Sequence, residues 1–136
     1  MKNIFKKIVI AILKLEAKLI LARFKPKIVA VSGTVGKTST KEAIALVLGN
    51  EFNVRKSEKS YNSEIGVPLT IIGAKTGWGS FKQWLLVILK GLKVFLFAND
   101  YPKFLILEMG VDRPKDMEKM VSWVKPDVAV ITAVGT

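Results

Sequence analysis

Apolar residues recur along this chain in two rhythms, and the rhythm changes at Pro26. Over residues 4–24 (IFKKIVIAILKLEAKLILARF) they repeat at helical spacing. At about 100° per residue, Ile4, Ile8, Ile12, Leu15 and Leu19 form one apolar arc and Val9, Leu13, Ala17 and Ile20 another; Lys7, Lys14, Lys18 and Lys25 form a basic stripe. After Pro26, short β-branched runs alternate with helical stretches. Lys27–Val31 predicts a strand, followed by a Gly-rich turn and a helix over Lys37–Leu48 that Gly49-Asn50 ends. Phe52–Arg55 predicts a second strand, Ser57–Gly66 a polar loop, and Val67–Ile72 a short helix with Pro68 in its first turn. Residues 74–80 read as loop. Phe81–Ala98 reads as a helix that is apolar almost all round, with Lys82, Lys90 and Lys93 on a narrow stripe. Phe104–Leu107 predicts a strand, Pro114–Val124 a helix and Val128–Thr132 a strand. Strands alternating with helices predict an α/β fold, a mostly parallel sheet with helices on both faces, preceded by an N-terminal amphipathic helix. The division expected is residues 1–25 and residues 26–136.

Charge changes the picture of the first segment. Residues 1–27 carry eight basic groups against one acid, Glu16, which is +7 of the chain's net +11. The body is only mildly basic, so the excess does not form the basic face that nucleic-acid binding needs. It points instead to an anionic membrane surface, or an acidic partner, met through residues 2–25. The longest uncharged run there is Ile8–Leu13, far short of the about 20 apolar residues of a membrane span. No small-residue cleavage site follows, so the segment does not read as a signal peptide. A helix packed on the rest of the protein and a helix lying at a membrane interface both fit it.

Composition narrows the chemistry. Half the residues are apolar, which excludes a disordered chain. Cys and His are absent, which removes thiol nucleophiles, imidazole bases and zinc sites of the usual N/S kind. Lys, Ser/Thr, carboxylates and backbone amides remain, and phosphate chemistry is their natural use.

Such a site is suggested between the first strand and the helix after it, at Ser32-Gly33-Thr34-Val35-Gly36-Lys37-Thr38-Ser39. A phosphate loop wraps its ligand with backbone N–H groups, and glycines permit the close approach. Lys37 would reach the β- and γ-phosphates of a nucleotide, and the Thr38 hydroxyl would serve Mg²⁺. The strict phosphate-loop pattern wants Gly where Val31 stands, so an ordinary strand–turn–helix junction is the alternative. Glu108 follows the apolar strand Phe104–Leu107. In an open parallel sheet, ligands bind outside the carboxyl ends of the strands. A carboxylate there is either a Mg²⁺ ligand or a structural cap to the next loop.

Four stretches together resemble the central ATPase domain of the Mur ligases: Ser32–Ser39, Asn62–Thr70 (NSEIGVPLT), Leu107–Pro114 (LEMGVDRP) and Lys125–Thr132 (KPDVAVIT). The resemblance spans about residues 26–136, and the family's own loop also lacks the first Gly. It implies a P-loop-containing domain binding ATP and Mg²⁺ in an ATP-dependent carboxylate–amine ligase of peptidoglycan precursor synthesis, acting through an acyl phosphate. It further implies that Gly33, Thr34, Val35, Gly36, Lys37, Thr38 and Ser39 cradle the nucleotide, that Lys37 acts on the reacting phosphates, and that Thr38 and Glu108 hold the metal. Asn62 matches a family Asn near the reacting end, whereas its neighbour, often Asn in the family, is Ser63 here. The partners implied are a UDP-linked muramoyl peptide and D-alanyl-D-alanine, and the location cytoplasmic; the basic segment 2–25 adds the expectation of a peripheral position at the inner face of the membrane.

Departures from the family are equally specific. Family members usually begin with a UDP-sugar-binding domain, for which residues 1–25 are too few. They continue past the equivalent of Thr136 to a His, a modified Lys, adenine contacts and an amino-acid-binding domain. The expectation is therefore a piece of a longer ligase. The alternatives are a non-catalytic, membrane-associated nucleotide-binding module, another Mur-type ligase such as a folylpolyglutamate synthase, and an unrelated P-loop NTPase. The last would favour an Asp where Glu108 stands.

Overall fold

The computed structural model describes residues 2–33, 35–58, 63–74, 81–109 and 114–132. In chain order the elements are α1 (Lys2–Phe24), β1 (Lys27–Ser32), α2 (Lys37–Gly49), β2 (Val54–Lys56), α3 (Ser63–Ile72), α4 (Phe81–Phe97), β3 (Phe104–Glu108), α5 (Pro114–Val124) and β4 (Val128–Ile131). The four strands pair in parallel in the order β2-β3-β1-β4. This is the α/β architecture expected, with the N-terminal helix in place.

The strands explain why helices cover both sides. Ile28–Val31 of β1 and Leu105–Leu107 of β3 are buried throughout, as central parallel strands are. Val29, Val31 and Ile106 point to one face, where Ile44, Ala45 and Leu48 of α2 meet them. Ile28, Ala30, Leu105 and Leu107 point to the other, into a larger core shared with α1, α3, α4 and α5. Helix α3 is the centre of that core, buried from Ile65 to Ile72. Of the two apolar arcs on α1, the structure buries Val9, Leu13, Ala17 and Ile20 and leaves Ile4, Ile8, Leu15 and Leu19 outside.

Two helices stop by the same device. Lys25 and Lys125 each precede a proline and adopt left-handed backbone, with φ of 49° and 54°. Each then donates its N–H back one turn, to Leu21 O and Val121 O. A left-handed residue followed by proline closes a helix and cannot continue it. The basic stripe of α1 thus ends at Lys18, because Lys25 has left the helix.

Three expected boundaries move. Helix α2 runs through Gly49, and Asn50 after it is right-handed, so no left-handed glycine ends it. Strand β2 begins at Val54 instead of Phe52. Helix α3 begins at Ser63, which takes four residues from the expected polar loop and puts Pro68 inside the helix. Pro68 deletes one helical N–H donor. Side chains bond other carbonyls of this buried helix. Thr70 Oγ1 donates to Gly66 O at 2.8 Å. Arg55 Nη1 donates to Thr70 O and Ile71 O at 2.9 and 3.0 Å, and the Tyr101 hydroxyl donates to Ile71 O. Burial holds the Tyr101 phenol well above its usual range, so it stays a donor.

Candidate functional site

The carboxyl edge of the sheet gathers the candidate residues. Strand β1 delivers Ser32 and Gly33 there, and α2 starts at Lys37. Gly33 has φ 130°, and a Cβ on it would lie 2.1 Å from Thr132 Oγ1 and 3.1 Å from Thr132 O. The turn after β1 is therefore pressed against the end of β4, where Thr132 donates through its N–H to Ser32 O at 2.8 Å. Gly36, at φ 83°, precedes α2 in a left-handed conformation that turns the chain into the helix.

The start of α2 has no side-chain cap and no acid in its first turn. The first N–H groups of a helix have no intrahelical acceptor, so among the described residues they face the loop as free donors at the positive end of the helix dipole. The Ser32 hydroxyl oxygen is buried without a hydrogen-bond partner among the described residues. Lys37 is half-buried, and Val35, Thr38 and Ser39 are exposed. Thr34 and Asn62 lie outside the described residues.

Glu108 ends β3 opposite Val31 in the neighbouring strand, so it stands directly beside the loop. Its Oε1 lies 3.4 Å from Thr38 Oγ1. Its Oε2 pairs with Lys41 Nζ at 3.3 Å. Lys41 is 1% exposed and also donates to Ser57 O at 2.7 Å. The Glu108 N–H donates in turn to Ser57 Oγ at 2.9 Å. Strand end, loop and first turn of α2 are thereby tied through one carboxylate. Further out, Lys56 pairs with Glu42 and holds its carboxyl below the usual range.

Lys41 and Ser57 escaped the reading of the sequence. A signal for Lys41 existed: it shares the inward face of α2 with Ile44, Ala45 and Leu48, where a solvated lysine would not sit. Ser57 had none, being one polar residue in a polar stretch.

The donor set suits a hard cation. Neighbouring oxygens around octahedral Mg²⁺ lie about 3 Å apart, given bonds of about 2.0–2.1 Å. Thr38 Oγ1 and Glu108 Oε1 are close to that spacing. Among the described residues no cluster of three or more His, Cys, Asp or Glu could hold a metal alone. The remaining ligands of a cation here would be phosphate and water.

Fold and edge together define a parallel α/β domain with a glycine turn and a carboxylate at the carboxyl edge of its sheet. Residues 31–81 match the Mur ligase middle domain, and the chain is related to the Mur ligases through that domain. Among its relatives, the UDP-N-acetylmuramoyl-tripeptide–D-alanyl-D-alanine ligase of Synechocystis sp. is 34% identical over 84% of this chain and 20% of its own length. That of Bacillus subtilis is 28% identical over 88% of this chain and 21% of its own length. The crystal structure of MurF ligase from Thermotoga maritima in complex with ADP superposes with a TM-score of 0.66 at 31% identity, over 93% of this chain and 24% of that one. The chain thus spans about a fifth of the length of the curated relatives it matches.

Proposed function

We propose that this chain is the ATP-binding part of an ATP-dependent carboxylate–amine ligase of peptidoglycan precursor synthesis. The observation that carries the reading is the uncapped start of α2, with its free N–H donors, set beside the Thr38–Glu108 oxygen pair at the carboxyl edge of a parallel sheet. In this reading the Gly33–Ser39 loop receives the phosphates of ATP, and Lys37 offsets charge on the β- and γ-phosphates. Thr38 and Glu108 hold Mg²⁺, whose positive charge draws electron density from the phosphate oxygens. Lys41 occupies the second oxygen of Glu108 and so keeps the first one turned toward Thr38.

The names of the relatives suggest the substrates: a UDP-linked muramoyl tripeptide as the carboxylate and D-alanyl-D-alanine as the amine, both met in the cytoplasm. The γ-phosphoryl group passes to the carboxylate oxygen, giving an acyl phosphate and ADP. The amine then attacks the acyl carbon and phosphate departs, so the protein's part is positioning and charge neutralisation. Asn62 belongs to this proposal as a residue near the reacting end.

Titration calorimetry of the folded chain with Mg²⁺ and ATP tests the phosphate site. Lys37→Ala removes a charge-assisted contact of about 1.5–3 kcal/mol, so affinity should fall roughly ten- to hundredfold. Equal affinity in parent and variant would place the phosphates elsewhere.

A further inference from the structure

Helices α1 and α4 lie side by side and run in the same direction. Phe5 meets Phe81 with ring centroids 5.1 Å apart, Glu16 lies against Gly91, and Arg23 Nη1 donates to Val94 O and Phe95 O at 3.1 and 3.0 Å. From this seam, about a quarter turn one way on α1 leads to the buried Leu13 and Ile20. On α4 about a quarter turn the opposite way leads to the buried Val87. In two parallel helices these opposite turns reach the same side, so both inward arcs face α3 and both outward arcs share one surface. On α1 that surface presents Ile4, Ile8 and Leu15. On α4 it presents Leu85, Leu89, Leu92 and Leu96. All seven are between 43% and 69% exposed.

A contiguous aliphatic surface of this extent marks an interaction site, and its border says with what. Lys7 and Lys18 edge it along α1, and Lys82 and Lys93 along α4, all exposed. The only acid on either helix is Glu16, buried in the seam. Protein interfaces are depleted in lysine. A two-fold contact between copies would also set these lysines against the same lysines. An aliphatic stripe with lysines on both edges instead suits a bilayer surface, where the stems cover apolar area and the ammonium groups reach anionic headgroups. No helix among the described residues is long and apolar enough to cross a membrane.

We propose that the outward face of α1 and α4 together is a docking surface for an anionic lipid bilayer, both helices lying along the interface. The sequence pointed to residues 2–25 alone; the structure adds α4 and turns one weakly amphipathic helix into a two-helix face. Helix α2 packs on the opposite side of the sheet, so docking leaves its N-terminus open. The proposal does not rest on the ligase reading.

Flotation of the full chain with phosphatidylcholine vesicles, with and without phosphatidylglycerol, tests it. Binding is expected with phosphatidylglycerol only, falling as salt is raised. Replacing Lys7, Lys18, Lys82 and Lys93 by Gln should weaken it about fivefold per lysine. The pair Leu89→Glu and Leu92→Glu should abolish it, with the melting curve unchanged because both side chains point outward. Binding that survives the leucine changes would overturn the apolar part. Absence of binding would overturn the whole, as would a solution dimer that Leu89→Glu dissociates in a chain that ignores vesicles.

Discussion

Lys41 changes what a substitution at Glu108 can report. A buried ammonium needs a charge partner, and Glu108 is the close one, with Glu42 at 4.0 Å. Glu108→Gln therefore leaves Lys41 without its main partner, and the melting temperature should drop whether or not Glu108 meets a metal. Breaking a buried pair from one side costs about 3–5 kcal/mol, less here because Glu108 is partly exposed. Thr38 separates the roles. It is exposed and, among the described residues, its hydroxyl makes only the long contact to Glu108, so Thr38→Ala should leave the melting temperature within about 1–2 °C of the parent. Loss of a hydroxyl that serves Mg²⁺ should still weaken Mg²⁺-dependent ATP binding about tenfold. Calorimetry with and without Mg²⁺ reads this, and an unchanged Mg²⁺ effect would count against Thr38 as a ligand. Gly33→Ala strains the turn before α2: positive φ and the clash with Thr132 Oγ1 both oppose it, so a loss of about 1–3 kcal/mol is expected in a denaturant melt.

Between elements, the seam of α1 and α4 holds a buried carboxyl group, that of Glu16. Both Glu16 oxygens are buried and unpaired among the described residues, and Gly91 leaves the space they fill. Burial pushes its pKa from 4.5 up to about 7. The folded state thus holds this proton more tightly than the unfolded chain. The stabilisation is complete below 4.5, declines as pH rises toward 7, and is gone above it. Glu16→Gln should remove that decline. The difference in melting temperature between parent and variant across this range isolates the effect, since Glu42, held low by Lys56, gives a slope of the opposite sign at lower pH. A parent and variant with the same pH slope would mean that Glu16 ionises freely. Periodicity gave α1, α4 and the three strands at Lys27, Phe104 and Val128, because each has one unbroken apolar rhythm. It missed the first turn of α3, where Ser63 and Glu64 look like loop and Pro68 looks like a start. The helix it belongs to is held by burial under α1 and α4 from Ile65 onward, and by Arg55 and Tyr101, from distant parts of the chain, at its far end. The loop around Gly33 and the edge position of Glu108 were legible because glycines and a carboxylate interrupt apolar strands. The Lys41 link was not, because the partner of a lysine is a matter of tertiary distance.

For the molecule as a whole, the layer that α1 supplies decides whether the larger of the two cores stays covered. Helix α3 is buried on every side, with the sheet beneath it and α1 and α4 above. Val9, Leu13 and Ile20 each contribute about 1.5–3 kcal/mol by burial. Together this is comparable to the about 5–15 kcal/mol that holds an ordinary domain folded. Removing residues 1–25 would also uncover the side of α3 that meets α1, a helix buried from Ile65 to Ile72 in the full chain. A chain starting at Pro26 should therefore lose its cooperative thermal transition and bind hydrophobic dyes, with ATP binding lost along with the fold. The graded version distinguishes the two arcs of α1. Leu13→Ala, on the inward arc and fully buried, should cost about 2–5 kcal/mol. Leu15→Ala, two residues on and 58% exposed, should fall within about 0.5 kcal/mol of the parent. Equal losses at the two positions in urea melts would mean that α1 does not seat on α3 by the face that carries Leu13. An intact transition in the chain from Pro26 would mean that the sheet and α2 fold without that cover. The expected order, Leu13 severe and Leu15 silent, follows from one helix meeting the protein core on one side and leaving an aliphatic stripe outside on the other.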